Sequence, residues 1–444
     1  MIHKFDRNGI FFVMDVNSGA VHALDETAYR IVEDVIAGKS DEELLAAWSE
    51  CPKEETLEAA AELRELAFAG QLGAEEIEGL YSGFEGGTVV KALCLHIAHD
   101  CNLRCEYCFA SKGEYKGERQ LMTKGVARRA VDFLIESSGH RRNLEIDFFG
   151  GEPTMNFDVV KDCVEYGRMR EAQSGKRIRF TITTNGLLLD REMMEYINEN
   201  MQNVVLSLDG RKSVNDAMRK TVSGSGSYGL IASRLKEMAD MRGQKSYYVR
   251  GTYTRRNLDF SEDVLHMADL GFKQISVEPV VADPKEDWSL REEDLPALFA
   301  EYEKLSEAMI KRGEKFNFFH FMINLQGGPC AKKRVSGCGA GSEYLAVTPT
   351  GDLYPCHQFV GIDELKLGSL ETGVINLEKS EMFSKRGVLK SGKCASCWSR
   401  FYCGGGCAAS AYLQNGNLDE PYAIGCELQK KRVECAIYLA SKEA

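Results

Sequence analysis

"HDCNLRCEYCF" occupies residues 99–109 and sets cysteines at 101, 105 and 108. The spacing is C-x3-C-x2-C, and no fourth cysteine lies close by. Iron–sulfur clusters and structural zinc sites ordinarily take four protein ligands, so three thiols leave one position open. An open metal position marks a reactive site rather than a structural one. Just upstream, "KALCLHI" (91–97) reads as a strand, which places the triplet in the loop that follows it.

The same strand pattern recurs downstream. "LEIDFF", "RIRFTITT", "NVVLSL", "SYYVRGTYT" and "QISVEPV" alternate with helix patterns such as "TKGVARRAVDFLIESSG" and "FSEDVLHMADLG". Six β–α repeats over residues 88–282 imply a parallel sheet, doubly wound or closed into a partial barrel, with ligands at the carboxyl ends of its strands. "FFGGEP", "TTNG" and "SLDG" stand at three successive strand ends.

Residues 1–80 read as a separate module. "GIFFVMD", the turn "VNSG" and "AVHALD" suggest a β-hairpin. Three helices follow, the first capped by Asp25. Residues 283–329 read as a bridging helical stretch. Residues 330–444 are rich in Cys and Gly, with only short strands such as "EYLAVTPTGDLYP", so bound metal would help to stabilise them.

Bulk properties narrow the function classes. The net charge of −12 argues against a nucleic-acid or anionic-membrane partner held by bulk attraction. No signal-peptide pattern and no membrane-length apolar run is present, and we expect a cytoplasmic chain. Cytosolic thiols stay reduced, so the clustering of fifteen cysteines points to metal or redox chemistry. Three lie at 101–108 and eight between Cys330 and Cys426, while Cys51, Cys94, Cys163 and Cys435 stand alone and read as structural. For the triplet taken by itself, zinc is the competing ligand chemistry.

The triplet with Tyr107 before its last cysteine resembles the signature of the radical S-adenosylmethionine (SAM) superfamily. That resemblance implies a partial (β/α)6 barrel and a 4Fe–4S cluster on Cys101, Cys105 and Cys108, with SAM as the fourth ligand. It also implies SAM contacts from Gly150, Gly151 and Glu152, from Thr184 and Asn185, and from Ser207 and Asp209. Arg219 and Arg250 are both candidates to balance the SAM carboxylate, since Arg suits that fork.

The later cysteines resemble a SPASM domain, which carries two auxiliary 4Fe–4S clusters and would bring the total to three. By that resemblance Cys394, Cys397, Cys403 and Cys426 hold the outer cluster, and Cys338, Cys356 and Cys407 the inner one. Cys330 can complete the inner set, or that iron stays open to a substrate thiolate. A pair of zinc ribbons is the alternative.

Residues 1–80 resemble the PqqD-like winged-helix module that recognises precursor peptides; a simple cap on the barrel is the other reading. "MIHKF", "DVNSGAVHALDE", "HIAHDCNLRCEYCFA", "RGTYTRRNLDF" and "LYPCHQFVG" together resemble the SCIFF maturases. This implies a thioether between a Cys sulfur and a carbon of a nearby residue, often Thr, in a Cys-rich ribosomal precursor peptide bound by its leader. It also implies a one-electron donor of flavodoxin or ferredoxin type. Anaerobic sulfatase maturases share the pattern but carry an Asp base where this chain has His357, which can itself act as a base, hydrogen-bond a cluster sulfide or pack. A metal-binding scaffold that docks a peptide is the non-enzymatic reading.

Overall fold

The computed structural model describes residues 1–76, 89–313, 316–325, 335, 337–389 and 392–443. At the amino terminus β1 (Ile2–Arg7), β2 (Ile10–Asp15) and β3 (Val21–Leu24) form an antiparallel sheet in that order. Strand β1 extends the expected hairpin; its Lys, Asp and Arg hide it from a pattern search. Strand β2 reads as a continuous apolar run because both its faces are covered. Val13 packs with Ile31, Val32, Leu44 and Leu63, whereas Phe12 and Met14 pack on Val433 and Ile437 of the helix Ala423–Glu443. Helices α1 (Glu26–Ile36), α2 (Asp41–Ala47) and α3 (Lys53–Phe68) complete this region. Asp25 accepts the Ala28 N–H at 2.8 Å, and Ser40 with Glu43 forms a reciprocal cap on α2.

The central sheet contains the six expected parallel strands. They are β4 (Ala92–His99), then, after the short β5 (Leu103–Cys105) and β6 (Gln120–Leu121), β7 (Asn143–Gly150), β8 (Arg177–Thr184) and β9 (Asn203–Ser207). After β10 (Arg219–Thr221) come β11 (Tyr248–Tyr253) and β12 (Gln274–Pro279). Beyond β12 lies β13 (Asn317–Phe318), and on the other side of β4 lie β14 (Tyr344–Val347) and β15 (Asp352–Tyr354). Strand β14 pairs parallel to β4, with Leu345 opposite Leu93, so the Cys-rich region is joined to the barrel sheet. The Cys-rich region, which cannot build a large core alone, thus leans on the central sheet.

Alternation along each strand explains the two faces. Leu144, Ile146 and Phe148 of β7 and Ile178, Phe180 and Ile182 of β8 face the helices and form one core. Each such side chain contributes roughly 1.5–3 kcal/mol on leaving water. Stability therefore rests on the outer face, and the inner face can be polar: Glu145, Asp147, Arg179, Thr181 and Thr183 stand there. The sheet remains open, since its path ends at β13 on one side and continues past β15 on the other. Among the described residues no helix is long and apolar enough to cross a membrane.

Candidate functional site

At the carboxyl ends of β4, β7, β8 and β9 lies a cavity lined by Cys101, Cys105, Cys108, Glu152, Ser207 and Arg219. The triplet is fixed by pairing: β5 runs antiparallel to β10, setting Arg219 opposite Cys105. Burial pushes the Cys101 thiol up to about 12 and the Cys105 thiol up to about 11. These groups carry protons until a cation replaces them, as thiolate ligation requires.

Glu152 is buried and holds the next strand end. Its Oε2 accepts the Asn185 N–H (2.8 Å), and its Oε1 accepts the hydroxyls of Thr184 (2.7 Å) and Thr154 (2.5 Å). Burial pushes this carboxyl up, and those hydrogen bonds oppose the shift. Asn185 Nδ2 in turn donates to Asn102 Oδ1 at 2.7 Å, inside the triplet loop. Gly150 and Gly151 line the same cavity, and the neighbouring backbone also leaves no room for a side chain at either position. A Cβ on Gly150 would run into the Ala98 carbonyl, and one on Gly151 into the Asp100 carbonyl. The strand ends meet here: Gly151 N–H donates to Ala98 O at 2.7 Å and Glu152 N–H to Asp100 O at 2.9 Å. Gly151→Ala is therefore expected to cost about 2 kcal/mol or more and to displace the triplet loop, read as a lower denaturation midpoint together with lower iron uptake.

Two of the residues expected at SAM take other places. Asp209 is buried behind the cavity wall, where it accepts the Tyr107 hydroxyl (2.7 and 2.9 Å) and the Thr252 N–H (3.1 Å). Burial pushes its carboxyl up, against the effect of Arg219 3.8 Å away and of the Tyr107 hydroxyl. Asp209 thus orients Tyr107 and Arg219 rather than lining the cavity. Arg250 is exposed on β11 and also does not line it. Of the two arginines the structure brings only Arg219 to the thiols. Arg219 donates through Nη1 to the Tyr107 hydroxyl (2.9 Å), while its Nε is buried without a protein partner, as is Asn102 Nδ2. Buried donors of this kind ordinarily have partners. Three thiols with two orphaned donors fit a cluster and an anionic ligand.

The segment after the triplet is strained. Ser111, Lys112, Tyr115 and Lys116 all have φ between 49° and 63°, and Lys112 lines the cavity. Such strain persists where surrounding contacts over-determine it, often at functional sites. Here Tyr115 donates its hydroxyl to Gly150 O (3.0 Å) and packs on His96 and His99, which meet each other at 3.1 Å. No sequence signal marks Tyr115. Phe148 is core, and Phe149 borders the cavity.

The later cysteines fall into two groups. Cys394, Cys397, Cys403 and Cys426 line one cavity with Trp398. Cys356 is buried, and Cys338 and Cys407 are close enough to influence its titration. Cys330 lies outside the described residues. Among the described residues no three His, Cys, Asp or Glu side chains are placed to hold a single metal ion. His357 joins the two regions: its ring packs on Phe149 (5.0 Å between centroids) and Phe109 (5.5 Å), and its Nδ1 lies 3.3 Å from the Tyr344 hydroxyl. Burial, aided by the Arg250 charge, pushes it down to about 3, so the imidazole is neutral at neutral pH. Tyr344 escaped the sequence reading because its role depends on β14 lying beside β4. Cys94, Cys163 and Cys435 are buried, the last accepting from Arg7 at 3.3 Å.

Residues 95–242 match the Radical SAM superfamily. Over 361 residues the chain is 26% identical to the mycofactocin maturase MftC of Mycolicibacterium smegmatis, covering 78% of this chain and 86% of that protein. It is 24% identical over 355 residues to a cysteine-type anaerobic sulfatase-maturating enzyme of Clostridium novyi, covering 76% and 92%. Among solved structures, anSMEcpe with bound AdoMet superposes with a TM-score of 0.64 at 20% identity, over 79% of this chain and 98% of that one. Streptococcus suis SuiB bound to S-adenosylmethionine gives 0.55 at 18% identity, over 96% and 98%. Both structures share the fold, and SuiB shares it over nearly the whole chain. The thiol-bearing part of the parallel sheet, residues 95–242, is thus the part of the chain that is similar to the Radical SAM superfamily.

Proposed function

We propose that this chain is a radical SAM peptide maturase that joins a Cys sulfur to a carbon of a nearby residue, Thr being the leading candidate, in a Cys-rich ribosomal precursor peptide. The observation that carries the reading is the contact of Phe109 and Phe149, which border the triplet cavity, with His357, the neighbour of Cys356. A substrate on the inner face of the sheet lies between two thiol sites. Support for a peptide comes from likeness to MftC, a maturase, and to SuiB, one structure of which is bound to precursor peptide SuiA.

In this reading Cys101, Cys105 and Cys108 hold a 4Fe–4S cluster and Arg219 takes the SAM carboxylate through the free Nε. Gly150, Gly151, Glu152, Thr184, Asn185 and Ser207 form the rest of the SAM cradle. Cys338, Cys356 and Cys407, with Cys330 or a substrate thiolate, hold an inner auxiliary cluster; Cys394, Cys397, Cys403 and Cys426 hold an outer one. When bound, these groups supply a 5′-deoxyadenosyl radical for hydrogen abstraction, an iron for the substrate thiolate and an acceptor for the departing electron. Neutral His357, held near the Tyr344 hydroxyl through Nδ1, is the group placed to orient substrate beside Cys356. The amino-terminal sheet offers an edge strand to the leader. We place the enzyme in the cytoplasm, served by a flavodoxin- or ferredoxin-type donor.

Likeness to sulfatase-maturating enzymes favours formylglycine synthesis as a second reading. Mass spectrometry of a synthetic Cys-rich precursor after anaerobic incubation separates the two. Thioether synthesis gives a peptide lighter by two hydrogens per link, with one thiol fewer open to alkylation. A product that captures a hydrazide, as an aldehyde does, would replace our reading with the second.

A further inference from the structure

The inner face of the sheet carries charged groups outside the cavity just described. Ser207 of β9 pairs in register with Arg250 of β11, which pairs with Ser276 of β12. Ser207 lines the triplet cavity, so Arg250 is one strand away from it. The Arg250 side chain is exposed, and its guanidinium makes no hydrogen bond or ion pair with another described residue. Two residues beyond Ser276, on the same face, stands Glu278 at the carboxyl end of β12.

Glu278 is fixed where Arg250 is free. Its Oε1 accepts the Ser276 hydroxyl at 3.1 Å, and its Oε2 lies 3.2 Å from His320 Nε2. Its side chain keeps 26% of its exposure. Burial works against ionisation here, but the charges of His320, Arg250 and Arg432 together hold the carboxyl well below its ordinary range. It is a carboxylate under any physiological condition. Arg250 therefore stands on the inner face one strand from the triplet cavity, with Glu278 on the next strand.

A free guanidinium offers only donors and a fixed carboxylate only acceptors. Set on neighbouring strands, they complement the carbonyl and N–H of an extended polypeptide. We propose that Arg250 and Glu278 position the substrate backbone across the inner face, Arg250 donating to a carbonyl and Glu278 accepting an amide N–H. This assignment rests on the peptide reading above and gives the two arginines separate ligands, Arg219 for SAM and Arg250 for peptide. Neutral backbone recognition leaves the core sequence of the peptide free to vary. Displacement of a reacting atom by about 1 Å can cost about a hundredfold in rate, so such anchors govern where the radical acts.

The test uses iron-reconstituted full-length protein with SAM, reductant and a synthetic Cys-rich precursor carrying its leader. Wild type is compared with Arg250→Ala, Arg250→Lys and Glu278→Gln. Arg250→Ala is expected to raise the peptide KM and to lower crosslinked product per 5′-deoxyadenosine, each on the order of tenfold. Arg250→Lys recovers part of that loss, and Glu278→Gln moves both quantities the same way by less. Wild-type values of both quantities in Arg250→Ala and Glu278→Gln overturn the proposal. So does loss of SAM binding by Arg250→Ala without peptide, in proportion to its lost turnover, because the guanidinium then belongs to SAM. Wild-type protein that leaves the peptide unconverted and unbound contradicts the peptide reading itself, and the assignment falls with it.

Discussion

Replacement of Cys105 by Ala is expected to remove 5′-deoxyadenosine formation from the reconstituted protein, a loss on the order of a thousandfold or more. That corresponds to about 4 kcal/mol or more on the barrier. Cys105 is the member of the triplet locked by β5–β10 pairing, directly opposite Arg219. Its removal takes away one of the three proposed ligands from a site that has none to spare. The backbone at this position is held by β10, so the fold should survive, as circular dichroism would verify. Cys163→Ala is the informative contrast. Cys163 is buried on the helix Phe157–Ser174, within the outer core. Its loss should cost about 1 kcal/mol of stability and leave deoxyadenosine formation intact. Equal losses of activity in the two variants would remove the special status of the triplet.

Cys403→Ala is expected to have the second large effect, on structure as well as on iron. Cys403 shares its cavity with Cys394, Cys397 and Cys426, and loss of one ligand should lower iron content by about four per chain. Metal binding at such a site is itself folding free energy, so the surrounding chain should loosen. The loosening has a defined direction. Trp398 and Arg400 lie between Cys397 and Cys403 and hold the amino-terminal sheet. The Trp398 ring stacks on His3 at 3.6 Å, and Arg400 Nη2 donates to Asn17 Oδ1 at 2.9 Å. Hydrogen exchange should therefore accelerate in residues 2–17 of this variant, far away in sequence. An unchanged exchange pattern there, together with the iron loss, would separate the outer site from the amino-terminal contact.

The sequence was most legible where chemistry is local. The spacing of Cys101, Cys105 and Cys108 needs only eight residues, and each central strand declares itself by its own apolar density. The grouping of later cysteines was readable for the same reason, although Cys330 lies outside the described residues. Long-range pairing was not readable. Arg219 and Arg250 were both open candidates in the sequence, and only the pairing of β10 with β5 brings one of them to the thiols. Asp209 follows Ser207 by two residues, yet it turns behind the wall to hold Tyr107. Strand β1 was hidden by the charges on its open face. Tyr344 acquired its place beside His357 from the parallel pairing of β14 with β4, across a separation no local pattern spans. Tyr115 and Lys112 occupy left-handed backbone that nothing in their side chains requires.

One anaerobic incubation tests the central claim most directly: iron-reconstituted wild-type protein, SAM, a reductant and a synthetic Cys-rich precursor, with 5′-deoxyadenosine and peptide mass followed together. The account predicts deoxyadenosine accumulating with a peptide lighter by two hydrogens per link. Fully iron-loaded protein that forms no deoxyadenosine, with or without peptide, would contradict it.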